Sequence, residues 1–67
     1  MAQTILRLPE VKTRTGLSRS EIYRREALGE FPKRIRLGVR SVGWLASEID
    51  EFITALVRVS RDRLVTK

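Results

Sequence analysis

Apolar residues along this chain change their spacing from one segment to the next, and each spacing predicts an element. From Ile49 they recur at i, i+3, i+4, i+7 and i+8 as Ile49, Phe52, Ile53, Leu56 and Val57, one wide apolar stripe along a helix. Ser47 precedes it as a cap, and Glu48, Asp50 and Glu51 crowd its first turn, where negative charge suits the helix dipole. Beyond Arg58 the period weakens. Residues 58–67 read as a helix extension, a frayed end or a contact for a second subunit. Between residues 34 and 44 the period is two. Arg34 and Arg36 take one face, Ile35 and Leu37 the other, and Val42 and Trp44 share a face on the returning strand. Gly38-Val39-Arg40 is the turn of this hairpin. A lone hairpin is marginal in water, so Ile35, Leu37, Val42 and Trp44 are expected to pack it onto the helices.

The first half of the chain predicts two short helices. Ile5-Leu6-Arg7-Leu8 reads as a strand or an extended lead-in. Pro9 suits a first helical position, Glu10 complements the helix dipole, and a helix over about 9–15 buries Val11 with Leu8 behind it. Gly16 then ends it in a C′ role. Ser18 and Glu21 have the S-x-x-E spacing of a capping box, while Leu17 and Ile22 occupy the hydrophobic-staple positions. Both signals start the second helix at Arg19, and Gly29 ends it after Leu28. Phe31-Pro32 stops any continuation. Helix, three-residue turn, helix is the spacing of a helix-turn-helix unit. The expected architecture is mainly α with a small β-hairpin, in the order helix, helix, hairpin, helix, as a single winged helix-turn-helix domain over 1–67.

Charge sharpens this picture. The chain of 67 residues carries 14 Lys+Arg against 8 Asp+Glu, a net +6. Residues 1–40 hold ten basic residues and four acids, so the whole excess lies there, and 41–67 balances at four of each. A polyanionic partner explains such a distribution; a basic protein kept soluble by its charge is the plainer alternative. With neither cysteine nor histidine, disulfides, thiolate sites and the usual zinc ligands are excluded, and no stretch resembles an EF-hand. No metal or cofactor is expected. Catalysis is not expected either: no Ser or Lys has an identifiable activating base, and Glu10, Glu21 and Glu26 form no recognisable acid/base pair. No signal-peptide pattern and no apolar run of about 20 residues occurs, which reads as a cytoplasmic protein without a membrane span.

Double-stranded DNA is the polyanion that the pattern fits. A helix-turn-helix protein reads bases with the leading turns of its second helix, which here offer Arg19, Ser20, Tyr23 and Arg24. Arginine matches the O6 and N7 acceptors of guanine with two donors, and Arg19 and Arg24 are the candidates for that contact. Tyr23 suits a phosphate or sugar contact, and equally a partly buried ring at the helix interface. Lys33, Arg34, Arg36 and Arg40 make the hairpin basic, as in a wing touching the DNA backbone. Arg34 and Arg36 are expected to project away from a core-facing Ile35 and Leu37. Each arginine alone also suits a solvated surface; their grouping favours the DNA reading.

Four runs in this order and spacing, Gly16-Leu17-Ser18-Arg19-Ser20-x-Ile22-Tyr23-Arg24, Gly29-x-Phe31-Pro32-Lys33, Leu37-Gly38-x-Arg40-x-Val42-x-Trp44 and Ser47-Glu48-Ile49-x-x-Phe52-Ile53, resemble the AlpA-type prophage regulators over about residues 5–56. That family is similar in fold to MerR-type DNA-binding domains and phage excisionases. The resemblance implies a winged helix-turn-helix, sequence-specific DNA binding and control of genes on an integrated element. Glu26 stands where relatives commonly carry an apolar residue, Arg34 where they often carry proline, and Phe52 where tryptophan is common. An excisionase-like recombination factor that bends attachment-site DNA is a second reading. A protein-binding inhibitor module is a third. A homodimer or adjacent copies on repeated half-sites, and contacts with transcription or recombination proteins, complete the expected partners.

Overall fold

The computed structural model describes residues 3–65. In chain order it runs β1 (Ile5–Leu6), α1 (Leu8–Thr15), α2 (Arg19–Ala27), β2 (Ile35–Arg36), β3 (Val42–Leu45) and α3 (Ala46–Val65). The fold is mainly helical, with one small sheet.

The caps explain the helix bounds. Arg7, extended at φ −90°, is the N-cap of α1 and makes no side-chain cap bond. Pro9 is therefore the second helical residue, one later than its composition suggested, where its missing N–H still costs nothing. Gly16 ends α1 at φ 73°, its N–H donating to the Lys12 carbonyl at 2.8 Å. Ser18 caps α2: its Oγ accepts from the Glu21 N–H at 3.2 Å. At the other end of α2 the Gly29 N–H donates to the Glu26 carbonyl and the Glu30 N–H to the Arg25 carbonyl, with Gly29 at φ 76°. That pair of bonds is the Schellman arrangement, and it makes Leu28 the C-cap rather than the last helical residue.

The lead-in at Ile5 is a strand, so the expected hairpin is part of a three-stranded antiparallel sheet in the order β1-β3-β2. Leu6 pairs with Trp44, Ile35 with Gly43, and Arg36 with Val42. Paired residues share a face and neighbours alternate, which corrects the expected orientation of the hairpin. Trp44 points into the core, so Gly43 and its partner Ile35 point the other way. Leu37 follows Ile35 outward and is 42% exposed. Arg34 and Arg36 accordingly lie on the face of Val42 and Trp44, toward α2. The sequence period was right and its sign was inverted.

Leu6, Val11, Ile22, Phe31, Trp44 and Ile49 form the core. Trp44 is completely buried, and its Nε1–H donates to the Pro32 carbonyl at 3.1 Å. Phe31 meets the edge of Phe52 with centroids 4.7 Å apart, a favourable aromatic geometry. α3 follows β3 without a linker, its first N–H donating to the Thr4 carbonyl at 2.8 Å. Ser47 consequently lies inside the helix instead of capping it, and Glu48 is the acid of the first turn, with Asp50 and Glu51 further along. Phe52 and Ile53 are the last α3 residues packed on the core. Leu56 and Val57, expected to continue the buried stripe, are 41% and 40% exposed. The helix nevertheless extends to Val65, and the last two residues of the tail lie outside the described residues.

Candidate nucleic-acid interface

Inverting the hairpin brings its arginines beside the second helix. An open groove of about 650 Å³ runs between the start of α2 and the β2–β3 turn. Five of the eight residues singled out from sequence line it: Arg19, Tyr23, Arg34, Arg36 and Arg40. Lys33 lines an adjoining hollow of about 460 Å³ with Tyr23, Glu26, Ala27 and Arg34. Ser20 and Arg24 are exposed on α2 but line neither.

Tyr23 organises the groove. Ile22, its neighbour, is completely buried and fixes the rotation of α2. The Tyr23 ring is half-buried, tilted against Trp44 at 6.3 Å. The guanidinium carbons of Arg19 and Arg34 lie 5.6 and 5.2 Å from its centroid, within the range of cation–π attraction. The ring is thus partly buried against Trp44 while it also lines the groove. Around it the hairpin turn is closed by bonds from the Leu37 and Gly38 N–H groups to the Ser41 carbonyl. The Arg36 Nε–H donates to the Gly38 carbonyl at 3.3 Å.

Two carboxylates modify the expected charge. The reciprocal half of the capping box is replaced: Glu21 turns outward, and its Oε1 accepts from Arg24 Nε at 2.9 Å and from Arg24 Nη2. Glu26 holds Arg34 through both the guanidinium and the backbone N–H. Arg24 and Arg34 are thus locally neutralised, while both remain substantially exposed, at 59% and 47%. The i,i+3 spacing of Glu21 and Arg24 signals the first pair. No local period signals the second, whose members stand eight apart.

Sequence reasoning also passed over Arg7, Val39 and Gly43. Arg7 donates from Nε to the Val42 carbonyl at 3.1 Å, tying the first strand to the hairpin. Val39 is 86% exposed at the hairpin tip, in the same groove as Arg40. Gly43 is buried where a side chain has no room. Among the described residues no group of three or more Asp and Glu could hold a metal ion. Nor, among the described residues, is any helix long and apolar enough to cross a membrane.

Residues 4–58 match the family model described as prophage CP4-57 regulatory protein (AlpA). The chain is 46% identical over 61 residues to the DNA-binding transcriptional activator AlpA of Escherichia coli (strain K12), covering 79% of this chain and 84% of that protein. It is also 42% identical over 55 residues to an uncharacterized protein, ORF88, of Enterobacteria phage P4. That match takes in 82% of this chain but 62% of the phage protein's length. A family model spanning this much of the chain, and a relative this similar over most of its length, agree with the motifs from Gly16 to Ile53: the chain belongs to the AlpA family of prophage regulatory proteins.

Proposed function

We propose that this protein is a sequence-specific DNA-binding transcription regulator of a prophage or similar integrated element, built as a winged helix-turn-helix over the whole chain. α2 enters the major groove, and the β2–β3 hairpin lies against the sugar-phosphate backbone. One observation carries the reading: the groove between α2 and the hairpin gathers Arg19, Arg34, Arg36 and Arg40 around Tyr23. Such a strip of cations beside an exposed helix face suits a phosphate backbone next to base edges. The name of the Escherichia coli relative, a DNA-binding transcriptional activator, supports the same function.

The proposed roles are as follows. Arg19 and Arg24 read bases, with Ser20 beside them. Glu21 steadies Arg24 by occupying its Nε and one Nη2 donor, which leaves both Nη1 donors and the second Nη2 donor for a guanine edge. Tyr23 contacts sugar or phosphate from the groove floor. Arg36, Arg40 and Lys33 contact phosphates, and Arg34 joins them with its charge partly offset by Glu26.

Genome-wide recovery of bound fragments, followed by footprinting, tests the proposal. Protection over a promoter with altered transcription supports it. Protection confined to an attachment site with strong bending assigns the protein to excision instead, because there the deformation of DNA is the output. Equal affinity for all sequences removes the reading-helix assignment.

A further inference from the structure

The second half of α3 has an apolar face that, among the described residues, is not packed on the core. Phe52 and Ile53 are the last residues of this helix packed on the core, yet the helix continues to Val65. Leu56, Val57 and Val59 are 41%, 40% and 57% exposed. An isolated helix of roughly 12 residues is marginal in water without tertiary packing. At 3.6 residues per turn, Phe52, Ala55, Leu56 and Val59 share one face. Toward the start of α3 this face opens onto a groove floored by Phe31, Pro32 and Phe52, with Glu51 on its rim.

We propose that this face pairs with the same face of a second copy, the two α3 helices running antiparallel about a two-fold axis near Ala55 and Leu56. Charge selects both the occupant and the direction. The first half of α3 carries the acids Glu48, Asp50 and Glu51 and no basic residue, and in the second half Arg58, Arg61 and Arg63 outnumber the single acid Asp62. Antiparallel packing sets acidic start against basic end, whereas parallel packing would set like against like. With the axis near residue 55, Phe52 of each copy meets Val59 of the other. Glu51 and Arg58, on the same flank of the stripe, then face each other across the axis. Symmetry makes each such contact twice. Ala55 is small enough to let the backbones approach at the crossing. Two helices alone make a contact at the low end of stable interfaces, so the dimer is concentration-dependent.

The absence of cysteine makes a clean test possible on the full chain without DNA, so its failure leaves the DNA reading untouched. Sedimentation equilibrium over a concentration range of about a hundredfold should show a monomer–dimer equilibrium, with Leu56→Asp monomeric. Glu51→Arg and Arg58→Glu should each weaken association about tenfold, since each turns two attractions into repulsions. Combined in one chain they should restore it. Under oxidation Ala55→Cys should form a disulfide-linked dimer, and Thr54→Cys, on the opposite side of the helix, should not. A parent monomeric throughout overturns the proposal. So does a charge-swapped double variant as weak as the single ones, or equal crosslinking at 54 and 55.

Discussion

Glu26 and Arg34 hold each other across the junction between α2 and the hairpin. Oε2 of Glu26 accepts from the Arg34 backbone N–H at 2.7 Å, and Oε1 accepts from the Arg34 guanidinium. The Glu26 side chain is only 11% exposed, against 47% for Arg34. The resemblance to AlpA-type regulators implies an apolar residue and a proline at these two positions. Proline has no N–H to donate, and an apolar residue no carboxylate to receive one. Against that implied pattern the two departures belong together, since neither residue of the implied pair could make the ion pair and backbone bond seen here.

Coupling between the two sites follows. Arg34→Pro alone strips Glu26 of both donors and leaves a largely buried carboxylate unpartnered, costing about 2–3 kcal/mol. Glu26→Leu alone leaves an exposed arginine and one backbone N–H that water can reach, costing about 1 kcal/mol. The double variant should recover stability, with a coupling energy of about 1–2 kcal/mol in urea unfolding. Strictly additive losses would show that the pair contributes nothing.

Gly43 should not tolerate even a methyl group. A Cβ there would lie 2.5 Å from Ile5 Cγ2, 3.0 Å from the Leu6 carbonyl oxygen and 3.2 Å from Leu37 Cδ1. The two side chains can yield, but the carbonyl belongs to the β1–β3 pairing. Gly43→Ala is expected to cost about 1–3 kcal/mol as an overpacked site. Adding Ile5→Ala should return only part of that in the same unfolding measurement, because the carbonyl contact stays.

How far the sequence could be read depends on the range of the interaction concerned. Ser18, Gly16 and Gly29 act within a turn of their own position, so the bounds of α1 and α2 were legible to within a residue. Ser47 failed as a cap because β3 runs directly into α3 and a backbone carbonyl, Thr4, takes the first N–H. The alternation of the hairpin was equally local, but its orientation depends on which β3 residue stands opposite Ile35. That register was invisible while Ile5 and Leu6 could be strand or lead-in. Leu6 and Phe31, both nearly fully buried, were missed as core because each sits beside a signal that hid it, an undecided strand and a proline stop. Among the candidate contacts, the arginines were identifiable by type, whereas the carboxylates that restrain two of them were not. Glu26 finds Arg34 only once the chain has turned.

The α2 cap can be tested locally. Ser18→Ala removes the bond from the Glu21 N–H and should cost about 1 kcal/mol. Since Glu21 contacts Arg24 rather than completing the box, Glu21→Ala should cost less than half a kcal/mol, about the worth of one exposed helical pair. Thermal melts of both variants separate a full capping box, in which the two losses would be similar, from the half box seen here.

Charge substitutions around the groove should sort by role in binding titrations at several salt concentrations. Arg36, on the hairpin, is assigned to phosphate, so Arg36→Ala should weaken binding to operator and random duplex alike and lower the salt slope by about 1. Arg24→Ala should instead cost about 1–3 kcal/mol on the operator and relax preference at one or two base pairs, leaving random-sequence binding less affected. Glu26→Gln offers the converse case: it releases the Arg34 guanidinium from its carboxylate, so affinity for any duplex should rise and the slope should steepen. If Arg24→Ala lowers operator and random binding equally, its side chain serves the backbone, and base reading falls to Arg19 and Ser20.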